Sequence, residues 1–160
     1  MTAGRSRVHA SCVAVDGAGI LIRGPSGSGK SSLALRLIDE GGILVADDQT
    51  LVEAVDGGIV ASAPASIAGR LEVRGLGIVS LEYLPRARLA LIVDLAAADA
   101  IARLPAPGDL TARLCGRSID RLGIDPARAD ATARLRLALR LLRERSANPA
   151  GPLVSLNERC

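Results

Sequence analysis

Gly24-Pro25-Ser26-Gly27-Ser28-Gly29-Lys30-Ser31 is the stretch whose reading decides the fold. It has the form G-x-x-x-x-G-K-S, a loop in which glycines let successive backbone N–H groups turn inward around phosphate oxygens. The pattern has meaning only between a strand and a helix, and both are legible here. Ile20-Leu21-Ile22 reads as a strand entering the loop. From Ser31 the spacing turns helical, with Leu33, Leu37 and Ile38 on one face, Leu35 on its flank, and Gly41-Gly42 as a stop. The helix then aims the positive end of its dipole at the bound phosphates. In this pattern the lysine reaches the β- and γ-phosphates and the serine hydroxyl joins a magnesium shell. Lys30, the only lysine of the chain, and Ser31 stand at those positions. The sequence therefore predicts binding of a nucleoside triphosphate with magnesium.

Outward from the loop, Val8 to Val15 alternates loosely and carries the only histidine, His9. Asp16-Gly17-Ala18-Gly19 is a turn, so this stretch and Ile20 to Ile22 form a hairpin feeding the P-loop. Ile43 to Ala46 is a short buried strand ending at Asp47-Asp48, and Leu51–Val55 and Ile59–Ala63 flank the turn Asp56-Gly57-Gly58. Arg88 to Asp94 is nearly all apolar and reads as a central strand. Leu95 to Leu104 reads as a helix, and Pro105 to Asp125, broken by Pro and Gly, yields no clear element. A last helix, capped by Asp130 or Thr132, is expected to run to about Arg145, with Leu135, Ala138, Leu139 and Leu142 buried and Arg136, Arg140 and Arg143 forming a solvated basic stripe. Residues 1–145 are expected to form one domain and 146–160 a disordered tail.

At 160 residues the chain suits a single core, and with no Phe, no Trp and only Tyr83 that core is built from Leu, Ile, Val and Ala. The net charge of +3 suits an anionic ligand but, without aromatics for base stacking, argues against nucleic acid. Cys12, Cys115 and Cys160 are widely spaced, which fits neither a disulfide framework nor a zinc site. No apolar run approaches the ~18 residues of a membrane span and the start lacks a signal-peptide pattern, so a cytoplasmic protein with no membrane contact is expected.

A P-loop protein also needs an acid at a strand end to hold magnesium. Asp94, after Leu89-Ala90-Leu91-Ile92-Val93, has the look of an ordinary Walker B residue. Asp47-Asp48 ends the strand after the P-loop helix, where two adjacent carboxylates repel unless a cation or substrate compensates. Strand side chains alternate, so only one of the pair can face the phosphates directly, and the sequence leaves open which.

Several separated features then coincide. Val8-His9-Ala10 before a hairpin, Gly24 to Ser31, Ala46-Asp47-Asp48, and Leu71-Glu72-Val73-Arg74-Gly75-Leu76-Gly77-Ile78 together resemble the catalytic domain of bacterial HPr kinase/phosphorylase, over about residues 7 to 95. The resemblance implies an α/β P-loop kinase domain with a central mixed sheet, of the PEP-carboxykinase-like kind. It implies ATP and Mg2+ as cofactors, an HPr-like phosphocarrier of the phosphotransferase system as partner, and hexameric assembly. Carried residue by residue, it makes Gly24, Pro25, Ser26, Gly27, Ser28 and Gly29 the nucleotide loop, Lys30 the phosphate lysine and Ser31 a magnesium ligand. It also makes Asp48 the group that takes the proton of the acceptor serine, His9 a neighbour of that aspartate, and Glu72 a second magnesium ligand, with Asp47 beside them. Arg103 matches an active-site arginine. The chain begins almost at the catalytic part, so a short form without the family's amino-terminal domain is expected. The family's proline- and glycine-containing basic loop is not recognisable in Ile124-Asp125-Pro126-Ala127-Arg128-Ala129-Asp130, so a weak phosphorylase reaction is expected. Two other readings are a P-loop kinase or NTPase that uses Asp94, and a regulatory module that binds nucleotide without turnover.

Overall fold

The computed structural model describes residues 4–147. The chain runs β1 (Arg5–Val8), β2 (Ala10–Val15), β3 (Ala18–Arg23), α1 (Lys30–Asp39), β4 (Ile43–Ala46), β5 (Thr50–Val55), β6 (Gly58–Ser62), β7 (Arg70–Val73), β8 (Gly77–Ser80), β9 (Ala87–Leu95), β10 (Thr111–Leu114), β11 (Arg117–Ile124) and α2 (Ala131–Ala147). Nine strands form one mixed sheet, ordered β1-β5-β6-β9-β3-β2-β4, with β11 also paired to β9 and β10 to β11; β7 and β8 make a separate hairpin. This is an α/β fold with a central mixed sheet, as expected.

One tight turn sets the register of the strands leading into the loop. Val15 pairs with Ala18 across Asp16 (φ 49°) and Gly17 (φ 82°), the two-residue left-handed turn that an Asp-Gly pair favours. Both β2 and β3 are buried on both sides, which is why they read as nearly continuous apolar runs. Val13, Val15, Ile20 and Ile22 face one core with Leu33 and Leu37 of α1 and Leu135 and Leu139 of α2. Cys12, Ala14 and Leu21 face a second core with Val52, Ile59 and Ala61, where the sheet curls back on itself.

Strand direction places the site. β3 runs parallel to β9, and β9 to β11. β4 is antiparallel to β2, itself antiparallel to β3, so β4 also runs with β3. The carboxyl ends of β3, β4, β9 and β11 therefore open on one edge, the usual position of ligands in open α/β sheets. The P-loop, Asp47-Asp48, the segment after β9 and the segment 125–130 all follow those ends.

Several expectations are corrected. The strand expected over Val8–Val15 is two strands, because the chain breaks at His9 so that β1 can pair with β5 while β2 pairs with β3 and β4. Leu95 to Leu104 is not a helix; its only helical part is a 3-10 turn at Ala98–Ala100. Helix propensity of the alanines is a weak bias, and here Ala96 N–H is taken by the carbonyl of Ile124 and Ala98 N–H by the Asp125 carboxylate. The stretch Pro105–Asp125 contains the β10–β11 hairpin, whose turn Cys115-Gly116 has positive φ at both residues. The last helix starts after Asp130, whose carbonyl accepts the Arg134 N–H as a cap residue does, and it runs on through Ser146 to Ala147. The expected tail otherwise falls on 148–160, outside the described residues. The arginine stripe is not simply a solvated face. Arg136 bonds Glu40, and Arg143 bonds the carbonyls of Val15 and Asp16, which fastens α2 to the turns beneath it.

Candidate functional site

The P-loop has the conformation its glycines permit. Gly27 (φ 79°) and Gly29 (φ 102°) lie in the left-handed region. A Cβ at Gly24 would stand 2.5 Å from the Ser28 hydroxyl oxygen and 3.3 Å from the Leu95 Cβ, so any larger residue there would displace the Ser28 side chain. Lys30, 5% exposed, donates from Nζ to the carbonyls of Gly24 (2.9 Å) and Pro25 (3.0 Å) and so lies along the loop. The Ser28 hydroxyl is buried and has no hydrogen-bond partner among the described residues. Such a group is costly unless a ligand uses it. A buried hydroxyl beside a loop of left-handed glycines and the first N–H groups of a helix fits a phosphate.

Asp47 and Asp48 divide the work that the sequence left open. Asp47 is 7% exposed. Its Oδ1 accepts from the hydroxyls of Ser31 (2.7 Å) and Ser11 (2.9 Å), and its Oδ2 accepts from the Glu72 N–H (3.1 Å). Among the described residues no ion pair reaches it. A buried carboxylate held only by neutral donors, against the P-loop serine, is a hard-oxygen arrangement that fits a divalent cation. Asp48 adopts φ 66°, a left-handed conformation that aspartate tolerates better than most residues, and its N–H donates to Ser11 Oγ at 3.0 Å. The reversal turns Asp48 outward, where Oδ1 meets His9 Nε2 at 2.6 Å; the two side chains are 60% and 46% exposed. One carboxylate is thus committed to the P-loop and its neighbour is presented to the surface beside an imidazole.

Glu72 is brought close through its backbone, while its exposed side chain makes no hydrogen bond among the described residues. Among those residues no group of three or more His, Cys, Asp or Glu side chains is arranged to hold a metal. A cation here would therefore take Asp47 and Ser31 together with ligand oxygens, as magnesium commonly does with phosphates. Arg103 is exposed in the irregular segment after β9 and is not joined to the site by any hydrogen bond among the described residues.

Asp94 differs in kind. It accepts from Arg23 Nε (2.7 Å) and Nη2 (2.9 Å) and from Arg121 Nε. Partial burial works against its charge, but the two guanidiniums outweigh it and hold the carboxyl below its ordinary value. Its oxygens are already matched by fixed cations.

Sequence reasoning missed Ser11, whose buried hydroxyl bridges Asp47 and the Asp48 backbone; its one signal is a polar residue inside the apolar run of β2. It also missed the arginines on Asp94, distant in sequence and joined only by strand order. Cys12 is fully buried, which pushes its thiol up to about 12 and leaves it unreactive.

Residues 1–104 match the family model for the HPr Serine kinase C-terminal domain. The HPr kinase/phosphorylase of Clostridium tetani is 39% identical over 125 residues, 78% of this chain and 38% of that protein. The HPr kinase/phosphorylase of Clostridium beijerinckii is 47% identical over 79 residues, 49% of this chain and 26% of that protein. The chain thus spans well under half the length of these relatives. The solved structure of the HPr(Ser) kinase/phosphatase from Coxiella burnetii superposes with a TM-score of 0.76 at 22% identity, covering 89% of this chain and 99% of that one, a likeness of fold.

Proposed function

The chain belongs to the HPr serine kinase family, and on that premise we propose that it is a protein serine kinase, using ATP and magnesium to phosphorylate a phosphocarrier protein of the HPr type. The observation that carries this reading is the division between Asp47, hydrogen-bonded to the P-loop serine, and Asp48, exposed beside His9. A small-molecule NTPase needs the first; a kinase for a protein side chain also needs the second, a base that a large acceptor can reach.

The P-loop N–H groups and Lys30 hold the β- and γ-phosphates, and Asp47 and Ser31 are the residues that would hold magnesium, with the Glu72 side chain exposed and away from that pair's hydrogen bonds. When bound, that ion offsets charge on the transferring group. Asp48 accepts the proton of the serine hydroxyl as its oxygen bonds to the γ-phosphorus and the bond to the β-phosphate oxygen breaks, releasing ADP. His9, hydrogen-bonded to Asp48, fixes the orientation of that carboxylate. A base of this kind contributes about 10²–10⁴-fold to rate. Arg103, remote from these groups in hydrogen bonding, has no step in this account.

The forward direction is favoured. Arg128, the arginine of the segment that replaces the family's basic loop, is paired with Asp130, which also binds Arg134. Its charge is thus already met by a neighbouring carboxylate. We place the enzyme in the cytoplasm as an oligomer acting on the phosphotransferase system, with residues 1–145 as its catalytic unit; no helix among the described residues is long and apolar enough to cross a membrane. The test is incubation of the pure protein with γ-labelled ATP, magnesium and a phosphocarrier of the HPr type, followed by mapping of the label. Phosphoserine on the carrier is the expected result. ATP binding without label in any carrier would instead mark a regulatory module.

A further inference from the structure

Gly29 closes the P-loop in a left-handed conformation that glycine can leave as easily as it enters, so something must hold it there. A Cβ placed on Gly29 would lie 3.4 Å from both Cβ and Cγ of Pro126, so the proline ring bounds the space beside this glycine. Pro126 belongs to the segment 125–130 that follows β11. That segment is braced on several sides. Asp125 accepts from the N–H groups of Ala98 and Ala127, and Asp130 binds Arg128 and Arg134. Only one side chain among the described residues ties it by hydrogen bonds to the helix that carries Lys30 and Ser31. Arg36, two turns into α1, donates from Nη1 to the carbonyl of Pro126 (2.9 Å) and from Nη2 to those of Arg128 (3.3 Å) and Ala129 (3.5 Å).

We infer that Arg36 is a positioning residue for the donor half of the site: its guanidinium latches the segment 125–130 onto α1, and the latched Pro126 holds Gly29 in the conformation that binds phosphate. The chemistry suits the task. A planar guanidinium holds its donors in a fixed fork, so Nη1 and Nη2 meet carbonyls of successive residues with less ordering cost than a freely rotating ammonium. A proline ring is rigid, with φ fixed, and transmits the constraint to the glycine without needing a hydrogen bond of its own. Arg36 reaches no phosphate in this arrangement; it acts through Pro126.

The inference rests on the P-loop being a nucleotide site, and its test separates the two. Amide hydrogen exchange is compared, without nucleotide, for the full chain and for its Arg36→Ala, Arg36→Lys and Pro126→Ala variants. Arg36→Ala is expected to speed exchange both in 127–131 and in the P-loop amides 27–31. Pro126→Ala is expected to speed exchange in the P-loop more than in 127–131. In turnover, Arg36→Ala should raise the KM for ATP about tenfold, the scale of losing a charged donor to a carbonyl, leave the KM for the acceptor protein unchanged, and be partly rescued by Arg36→Lys. Faster exchange in 127–131 with unaltered P-loop exchange would overturn the latch, as would equal rises in both KM values. If the chain shows no ATP-dependent transfer at all, the kinase reading fails, while the exchange comparison still decides the latch. Should Arg36→Ala not fold, Arg36→Lys and Pro126→Ala carry the same decision.

Discussion

Two of the carboxylate positions at this edge of the sheet invite comparison, Asp47-Asp48 after β4 and Asp94 within the end of β9. By position either could serve a phosphate loop; by surroundings they are opposites. Asp94 lies between the guanidiniums of Arg23 and Arg121, so its charge is answered by the protein itself. Among the described residues Asp47 is answered only by hydroxyls and a backbone N–H, one of the hydroxyls being that of Ser31, and Asp48 only by the half-exposed His9. A carboxylate saturated by fixed cations is a structural tie. One left with neutral donors is available to a cation, and one left at the surface is available to a proton. The partners of an acid, more than its place on a strand, decide what it can do.

The largest effect tests whether there is a phosphate loop for these acids to serve. Lys30→Ala should abolish magnesium-ATP binding by calorimetry with the circular dichroism unchanged. Undiminished affinity in a folded variant would remove the premise of the comparison. Next, Asp48→Asn should cut transfer by about 10²-fold or more while ATP affinity is kept. Asp94→Asn should change transfer by no more than a few-fold. The reverse ranking would make Asp94 a working Walker B residue and the pair at 47–48 incidental.

What Asp94→Asn should lose is stability, about 2 kcal/mol, since it removes the counter-charge of two partly buried guanidiniums and turns one of their two acceptor oxygens into an NH2 donor. The pH dependence has a definite sign. The carboxyl is held below its ordinary value in the fold, so its contribution is fully present above about pH 4 and is lost as pH falls through the lowered value. Melting temperatures of the wild type and Asp94→Asn should differ at about pH 6 and converge toward about pH 2. Curves that stay parallel would mean the triad is not a stabilising tie. The smallest effect sharpens the other side. Ser11→Ala removes a donor to Asp47 and the acceptor for the Asp48 N–H at once, and should cost about 1–2 kcal/mol in urea unfolding. A neutral result would show that the two aspartates are set without it.

Much of this was legible because it is local. The P-loop, α1 and the turns at Asp16-Gly17 and Asp56-Gly57 announce themselves by residues whose backbone chemistry admits few alternatives. The β10–β11 hairpin was hidden because its turn is Cys115-Gly116, and cysteine at φ 52° is no turn signal. Leu95 to Leu104 misled because its alanines favour a helix that tertiary bonds to Ile124 and Asp125 override. At the site, the sequence brought forward Lys30, Ser31, Asp47, Asp48 and His9, which the fold gathers. It could not separate Asp47 from Asp48, because the separation depends on a left-handed residue at 48. Nor could it discount Asp94, whose arginines arrive from β3 and β11. Arg103 makes no hydrogen bond to these groups among the described residues.

The most direct measurement of the central claim is a single-turnover assay with γ-labelled ATP, magnesium and a serine-bearing phosphocarrier of the HPr type, run in parallel on wild type, Asp48→Asn and Asp94→Asn. Label on one carrier serine is expected with wild type and Asp94→Asn at similar rates, and transfer slower by about 10²-fold with Asp48→Asn. Undiminished transfer by Asp48→Asn, or loss confined to Asp94→Asn, would contradict the claim.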